Sequence, residues 1–221
     1  MSFFATEESV LTGAYSQPFG LGFETELIQR AVKAQIIKFL PELTEKLQEI
    51  WDIRDKEFAE IFNQTYKKLQ VPIIKENSIL SGVENLSLIN APVELWPFVL
   101  IYARDSMPYQ YQEDQFDTVS IPLRIEVMCN EGPIKEEELH TKEGIEGMQI
   151  LDSKIQRLSD AVYLCIRKDP TLCGTVGTIE KPPKVTTSLP WARKENGETT
   201  TGQNYIFQGK QFDFNVQKIS S

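Results

Sequence analysis

Glu137 and His140 stand three apart within the stretch PIKEEELHTKEGIEG. On a helix that spacing puts a carboxylate and an imidazole on one face, as in carboxylate-bridged di-metal sites. Such a site needs a second Glu-x-x-His pair and further glutamates, and His140 is the sole histidine of the chain. A multi-His metal site cannot be built within one copy, and a His-based triad or proton shuttle would have to use that one residue. Glu136, Glu137 and Glu138 offer hard oxygen ligands for a cation, yet a block of like charge is ordinarily a solvated face or loop. A metal-assisted enzyme built on Glu137 and His140 is the minority reading.

The remaining reactive residue types give less. Cys129, Cys165 and Cys173 are odd in number and lack C-x-x-C spacing, which fits reduced, buried thiols packed as small apolar groups better than a disulfide framework. Cys165 and Cys173 straddle a helix end, with only Arg167 and Lys168 nearby to favour a thiolate. Arg124 projects from the polar side of a strand near Glu126, where cross-strand pairing is the usual role. Trp191, in LPWARKENGETTTG, sits in a polar, basic, turn-rich loop; it either folds back onto the sheet or anchors a partner. No glycine cluster joins a strand to a helix with Walker or Rossmann spacing. No catalytic centre, metal or cofactor is expected.

Composition narrows the classes further. The 221 residues carry 23 basic and 32 acidic side chains, a net charge of -9, with 41% hydrophobic and 25% charged residues. This is soluble-globular composition without the positive field that grips a phosphate backbone. The N-terminus, MSFFATEESV, lacks the basic region and apolar core of a signal peptide. The longest apolar run, Trp96 to Ala103, is far short of the ~20 residues a spanning helix needs.

The elements that must position these residues follow from periodicity. Residues 1–23 mix Gly13, Pro18, Gly20 and Gly22 with aromatics and read as an extended arm. Residues 24–70 are helical: Ile28, Val32, Ile36 and Phe39 define one apolar face, Pro41 breaks the ladder, and a second helix follows with Leu43, Leu47, Ile50, Trp51, Phe58, Ile61, Phe62 and Leu69 as its stripe. Val71-Pro72 ends it. Residues 72–94 read as irregular structure or one short helical turn. Within 95–130, WPFVLIYAR is apolar on both faces, as in a buried strand, and Val119 to Cys129 alternate strictly. They form a hairpin whose tip, MPYQYQEDQFD, is overlong and exposes Tyr109, Tyr111 and Phe116 as contact candidates. Residues 143–168 form a helix with Ile145, Met148, Leu151, Ile155, Leu158, Val162 and Ile166 on one face, stopped by Asp169-Pro170. The 175–219 stretch is β-rich, with strands at 175–189 and 203–219 joined by a long loop around Asn196-Gly197, and with Phe212, Phe214 and Val216 pointing inward. One α+β domain over 24–221, an antiparallel sheet flanked by helices on one face, buries all three stripes at once.

This succession resembles the phage tail-terminator and tail-completion (neck) proteins. The cues are PELTEKLQEIW, then WPFVLIYAR and DTVSIPLRIEVMCNEG, the helix GIEGMQILDSKIQRLSDAVYLCIRKDP, the turn TLCGTV, and the last strand YIFQGKQFDFNVQKI, covering about residues 24 to 219. The resemblance implies a structural virion protein without enzymatic activity. It would be made in the host cytoplasm and placed at the head-tail junction, where a homohexameric ring ends tail-tube growth and docks to a neck or connector protein. DNA would be met only as the passing genome, and no membrane would be involved. A head-completion or stopper protein that binds the portal is the related alternative. The N-terminal arm and the long helical region before Pro72 depart from the family pattern. An acidic chain, the long hairpin tip, the 189–204 loop and sheet edges open to strand addition all suit the ring reading. The surfaces expected to make contacts are Tyr109, Tyr111, Phe116, Glu136, Glu137, Glu138 and Trp191.

Overall fold

The computed structural model describes residues 20–82, 95–103, 117–135, 141–172, 174–176, 178–179, 182–194 and 203–220. Its elements are helix α1 (Gly20–Ile61), a 3-10 turn (Glu76–Ser78), β1 (Ile79–Ser81), β2 (Phe98–Ala103), β3 (Asp117–Lys135), helix α2 (Lys142–Lys168), β4 (Thr178–Ile179), β5 (Lys184–Thr187), β6 (Trp191–Lys194) and β7 (Gln203–Ser220). The fold is α+β. The expected arm at 1–23 gives way to α1 at Gly20, and residues 1–19 lie outside the described residues.

The long strands pair as their alternation requires. β3 and β7 run antiparallel from Asp117↔Ser220 to Lys135↔Gln203, with a register shift between Glu131 and Ile134. β2 adds antiparallel to β3, from Phe98↔Met128 to Ala103↔Leu123, which is the expected hairpin. Its tip lies outside the described residues. The far edge of β7 is filled by three short segments in succession: β4 pairs with Val216 and Gln217, β5 with residues 210–213, and β6 with residues 204–207. They act as one interrupted edge strand, broken near Pro182, Pro183 and Pro190, residues that cannot donate to a ladder.

Two differences from the expected sheet have local causes. β1 lies parallel to β2, so the sheet is mixed rather than wholly antiparallel. Three residues are too few to give a readable alternation. Trp191, expected in a loop, has its backbone in β6 opposite Phe207. Pairing with the N-terminal half of β7 overrides the weak strand preference of a segment bounded by Pro190 and Lys194.

Both helices pack on one face of the sheet. Ile28, Val32, Ile36 and Leu40 of α1 and Leu151, Ile155, Leu158, Val162, Cys165 and Ile166 of α2 share a core with Val99, Ile101, Ile121, Leu123, Ile125, Val127, Phe212, Phe214 and Val216. Ile145, expected on the buried stripe of α2, is exposed because the core begins a turn later. Gln35 is buried between the helices and donates its amide to the carbonyls of Cys165 (2.7 Å) and Asp169 (3.0 Å), capping the end of α2 from another element. Arg157 Nη2 donates to both carboxylate oxygens of Asp55, each at 2.7 Å, and the guanidinium lies over the Trp51 ring.

α1 does not break at Pro41; the proline sits inside a continuous helix. It deletes one backbone hydrogen bond there, and the packing of Leu40, Leu43 and Leu47 on the shared core holds the helix together across the gap. The helix ends at Ile61 instead of running to Leu69. Asn63 takes the left-handed conformation (φ 53°), Gln64 N–H donates to Ala59 O (2.8 Å) and Asn63 N–H to Glu60 O (3.3 Å). This pair of bonds is the Schellman stop, in which asparagine is the usual substitute for glycine. The chain then returns along α1: Lys68 pairs with Asp52 at 2.9 Å, and Gln48 accepts from Val71 N–H (2.9 Å) while donating to Leu69 O (3.0 Å).

Pro41 is exposed, so its replacement disturbs no packing. Pro41→Ala restores the missing backbone bond and should raise stability by about 1–3 kcal/mol in urea unfolding followed by circular dichroism. An unchanged or lower midpoint would mean that the proline is accommodated without cost.

Candidate functional site

The face of the sheet turned away from the helices divides along the strands into an apolar half and a polar half. At the apolar end Trp96, just ahead of β2 and joined to Pro97 by a cis peptide, lays its ring against Phe98 and Phe207, each with centroids 4.5 Å apart. Phe98, Leu100, Tyr102, Met128 and Phe207 are buried in this second cluster. Gly209 lies under the Met128 side chain: a Cβ added there would come within 2.3 Å of the Met128 sulfur. A side chain at 209 and a methionine at 128 therefore compete for one volume.

The polar half is a row across four strands. The ladders align Tyr102 with Arg124, Arg124 with Asp213, and Asp213 with Lys184. Arg124 Nε donates to Asp213 Oδ1 at 2.6 Å and Nη1 to the Tyr102 hydroxyl at 3.2 Å. Tyr102 Oη donates to Glu126 at 2.6 Å, and Gln211 donates to Asp213 Oδ2 at 2.6 Å. Burial, and then its bond to the Glu126 carboxylate, raise the Tyr102 hydroxyl pKa above the ordinary phenol value, so it remains a proton donor. Beside this row Pro122, Pro182, Lys184 and Asn215 help to line a shallow depression of about 370 Å³. The row can hold charge of both signs at a surface, with both Asp213 oxygens engaged.

The thiols are outside this site. Cys129 and Cys165 are buried and unpaired, as expected of small apolar packers, and burial pushes both thiols up to about 12. Among the described residues there is no group of three or more His, Cys, Asp or Glu able to hold a metal ion. No helix among the described residues is long and apolar enough to cross a membrane.

Of the residues expected to make contacts, Tyr109, Tyr111, Phe116, Glu136, Glu137 and Glu138 lie outside the described residues, as do His140 and Cys173. Trp191 is placed by its backbone in β6. Arg124 has the cross-strand partner expected of it, but the partner is Asp213 more than Glu126, whose oxygen is 3.9 Å away. The row with Tyr102, Asp213 and Lys184 does not follow from the sequence pattern. Alternation puts Arg124 and Asp213 on outward positions; their adjacency depends on the β3–β7 register, which periodicity does not supply.

A double-mutant cycle with Arg124→Ala and Asp213→Ala should return a coupling of about 0.5–2 kcal/mol in denaturant unfolding, reflecting a partly shielded pair; additivity would show that the bond is not formed in solution. At pH 8, shifting a thiol from its ordinary value of 9.0 to about 12 lowers its thiolate fraction about thousandfold. Iodoacetamide labelling mapped by mass spectrometry should therefore leave Cys129 and Cys165 unmodified in the native protein and modify both in urea. Native-state labelling at either position would contradict their placement.

Comparison with protein-family models finds no match, and neither does comparison with curated proteins.

Proposed function

We propose that the protein is a structural component of a phage particle, a tail terminator that assembles as a homohexameric ring at the head-proximal end of the tail tube. The reading starts from the order of elements along the chain. The observation that best supports it is the face of the sheet opposite α1 and α2, where the Tyr102–Arg124–Asp213 row pairs its arginine with a carboxylate and a hydroxyl of the same chain. Burying Arg124 together with its Asp213 partner avoids the about 3–5 kcal/mol that an unpaired arginine would cost, and Lys184 at the end of the row would take its partner from the neighbour. The face is therefore suited to subunit packing without further chemistry.

Net charge is consistent with the same role. At -9 the chain would repel a passing phosphate backbone, so a ring of such chains could let a genome slide through without holding it. Partners in this reading are the tail-tube protein on one side and a neck or connector protein on the other.

Purified protein, alone and with tail tubes, should give six-membered rings by sedimentation and negative-stain imaging, and tubes should stop growing when it is added. A chain that forms no ring at high concentration, with or without tubes, overturns the proposal. Binding to purified portal and not to tube protein would assign it instead to the head-completion role.

A further inference from the structure

The far end of α1 carries an apolar stripe that the described residues leave exposed. Leu43, Leu47 and Trp51 of this helix pack against the core. Beyond them Ile50, Ile53, Phe58, Ile61 and Phe62 are between 47% and 76% exposed. The return segment does not cover them, since it bonds to Gln48 and Asp52 on another side of the helix. Advancing about 100° per residue, Ile50, Arg54, Glu57, Phe58 and Ile61 fall within about one third of the circumference, with Ile53 at its margin. Arg54 and Glu57 are exposed on this stripe, and neither makes an ion pair among the described residues.

The order of these residues is self-complementary when the segment is read against itself in reverse. In an antiparallel pair of identical helices with a twofold axis between residues 55 and 56, residue i faces residue 111 − i. Ile50 then meets Ile61 and Arg54 meets Glu57, each contact occurring twice by symmetry, while Ile53 and Phe58 lie at one height on opposite flanks of the contact. The stripe spans about 17 Å of helix. The four apolar residues offer on the order of 500 Å² per copy, comparable with the largest patches on monomeric proteins, and about 1,000 Å² for the pair, the lower bound of a specific interface.

We infer that residues 50–61 of α1 form a twofold, antiparallel contact with the same segment of a second copy of the chain. One register satisfies the apolar stripe and both lone charges together, which is the signature of an isologous interface. Because a twofold pair uses one patch on both copies, it cannot close a sixfold ring by itself. The contact is thus separate from the ring reading and stands or falls independently of it.

The test uses the full chain in a sedimentation-velocity concentration series. Wild type is expected to associate in even-numbered steps. Ile61→Asp, at a position open to solvent in the single chain, should weaken association about tenfold or more. Arg54→Glu and Glu57→Arg should each weaken self-association about tenfold by setting like charges opposite one another. Two recoveries are specific to this register: the combined Arg54→Glu/Glu57→Arg chain should associate as wild type does, and mixing the two single variants should produce a heterodimer. Unchanged melting curves would show that each variant is folded. A monomeric wild type, indifference to Ile61→Asp, or failure of both recoveries overturns the contact. Rings without even-numbered pairing would overturn this contact and leave the ring reading intact; pairs without rings would do the reverse.

Discussion

The pairing of β3 with β7 is the constraint on which the other elements depend. Two strands of 19 and 18 residues are held in one register over most of their length. Since side chains alternate between faces, that register decides at every position which residue meets the helices. A slip of one residue would turn either Ile121, Leu123 and Ile125 or Phe212, Phe214 and Val216 away from the helices. β2 then takes its place on the outer edge of β3, and the remaining edge of β7 is closed by β4, β5 and β6. Those segments are short and proline-interrupted, which suits an edge that must satisfy β7 without offering a long template to other chains.

The helices are tied to each other by polar side chains as well as by the apolar core. Gln35 bonds the last carbonyls of α2 from within α1, and Arg157 of α2 reaches Asp55 and Trp51. These contacts fix where the helices cross, and through Lys154 and Glu131, and Lys210 and Gln156, α2 is tied to β3 and β7 as well. An apolar core alone would tolerate sliding; polar partners with directional bonds select one alignment. The same alignment leaves α1 longer than the core it serves, so Ile50, Ile53, Phe58 and Ile61 in its last turns remain exposed.

Much of this was legible in the sequence wherever one face of an element is buried along its length. The stripes Ile28–Val32–Ile36 and Leu151–Ile155–Leu158–Val162, the alternation through Ile121–Cys129 and Phe212–Val216, and the two-sided burial of β2 all follow from periodicity. What failed did so for local reasons. Pro41 reads as a break because its intrinsic cost exceeds the propensity of its neighbours, yet packing on either side outweighs it. Asn63 reads as an ordinary polar residue until its positive φ is known. β1 and β6 are defined by their partners rather than by their own composition. For the candidate site, Arg124 was identifiable as a charge on the outward side of a strand, but Asp213, 89 positions away, became its partner only through the register.

The two halves of the helix-free face set a limit on how a neighbour can pack there. Trp96 lies over Phe98 and Phe207, and Met128 covers Gly209, so the chain itself fills most of the apolar half and leaves a small depression beside Met128 and Gly209. Exposed surface is concentrated in the polar half, around Pro122, Arg124, Lys184 and Asn215, with the shallow depression between them. A subunit meeting this face would therefore gain less from hydrophobic burial than from matching the charges of the polar row. Lys184 is aligned with Asp213 but makes no ion pair among the described residues, so it is the group left to choose the partner's charge. Such an interface would be set by charge complementarity more than by buried area.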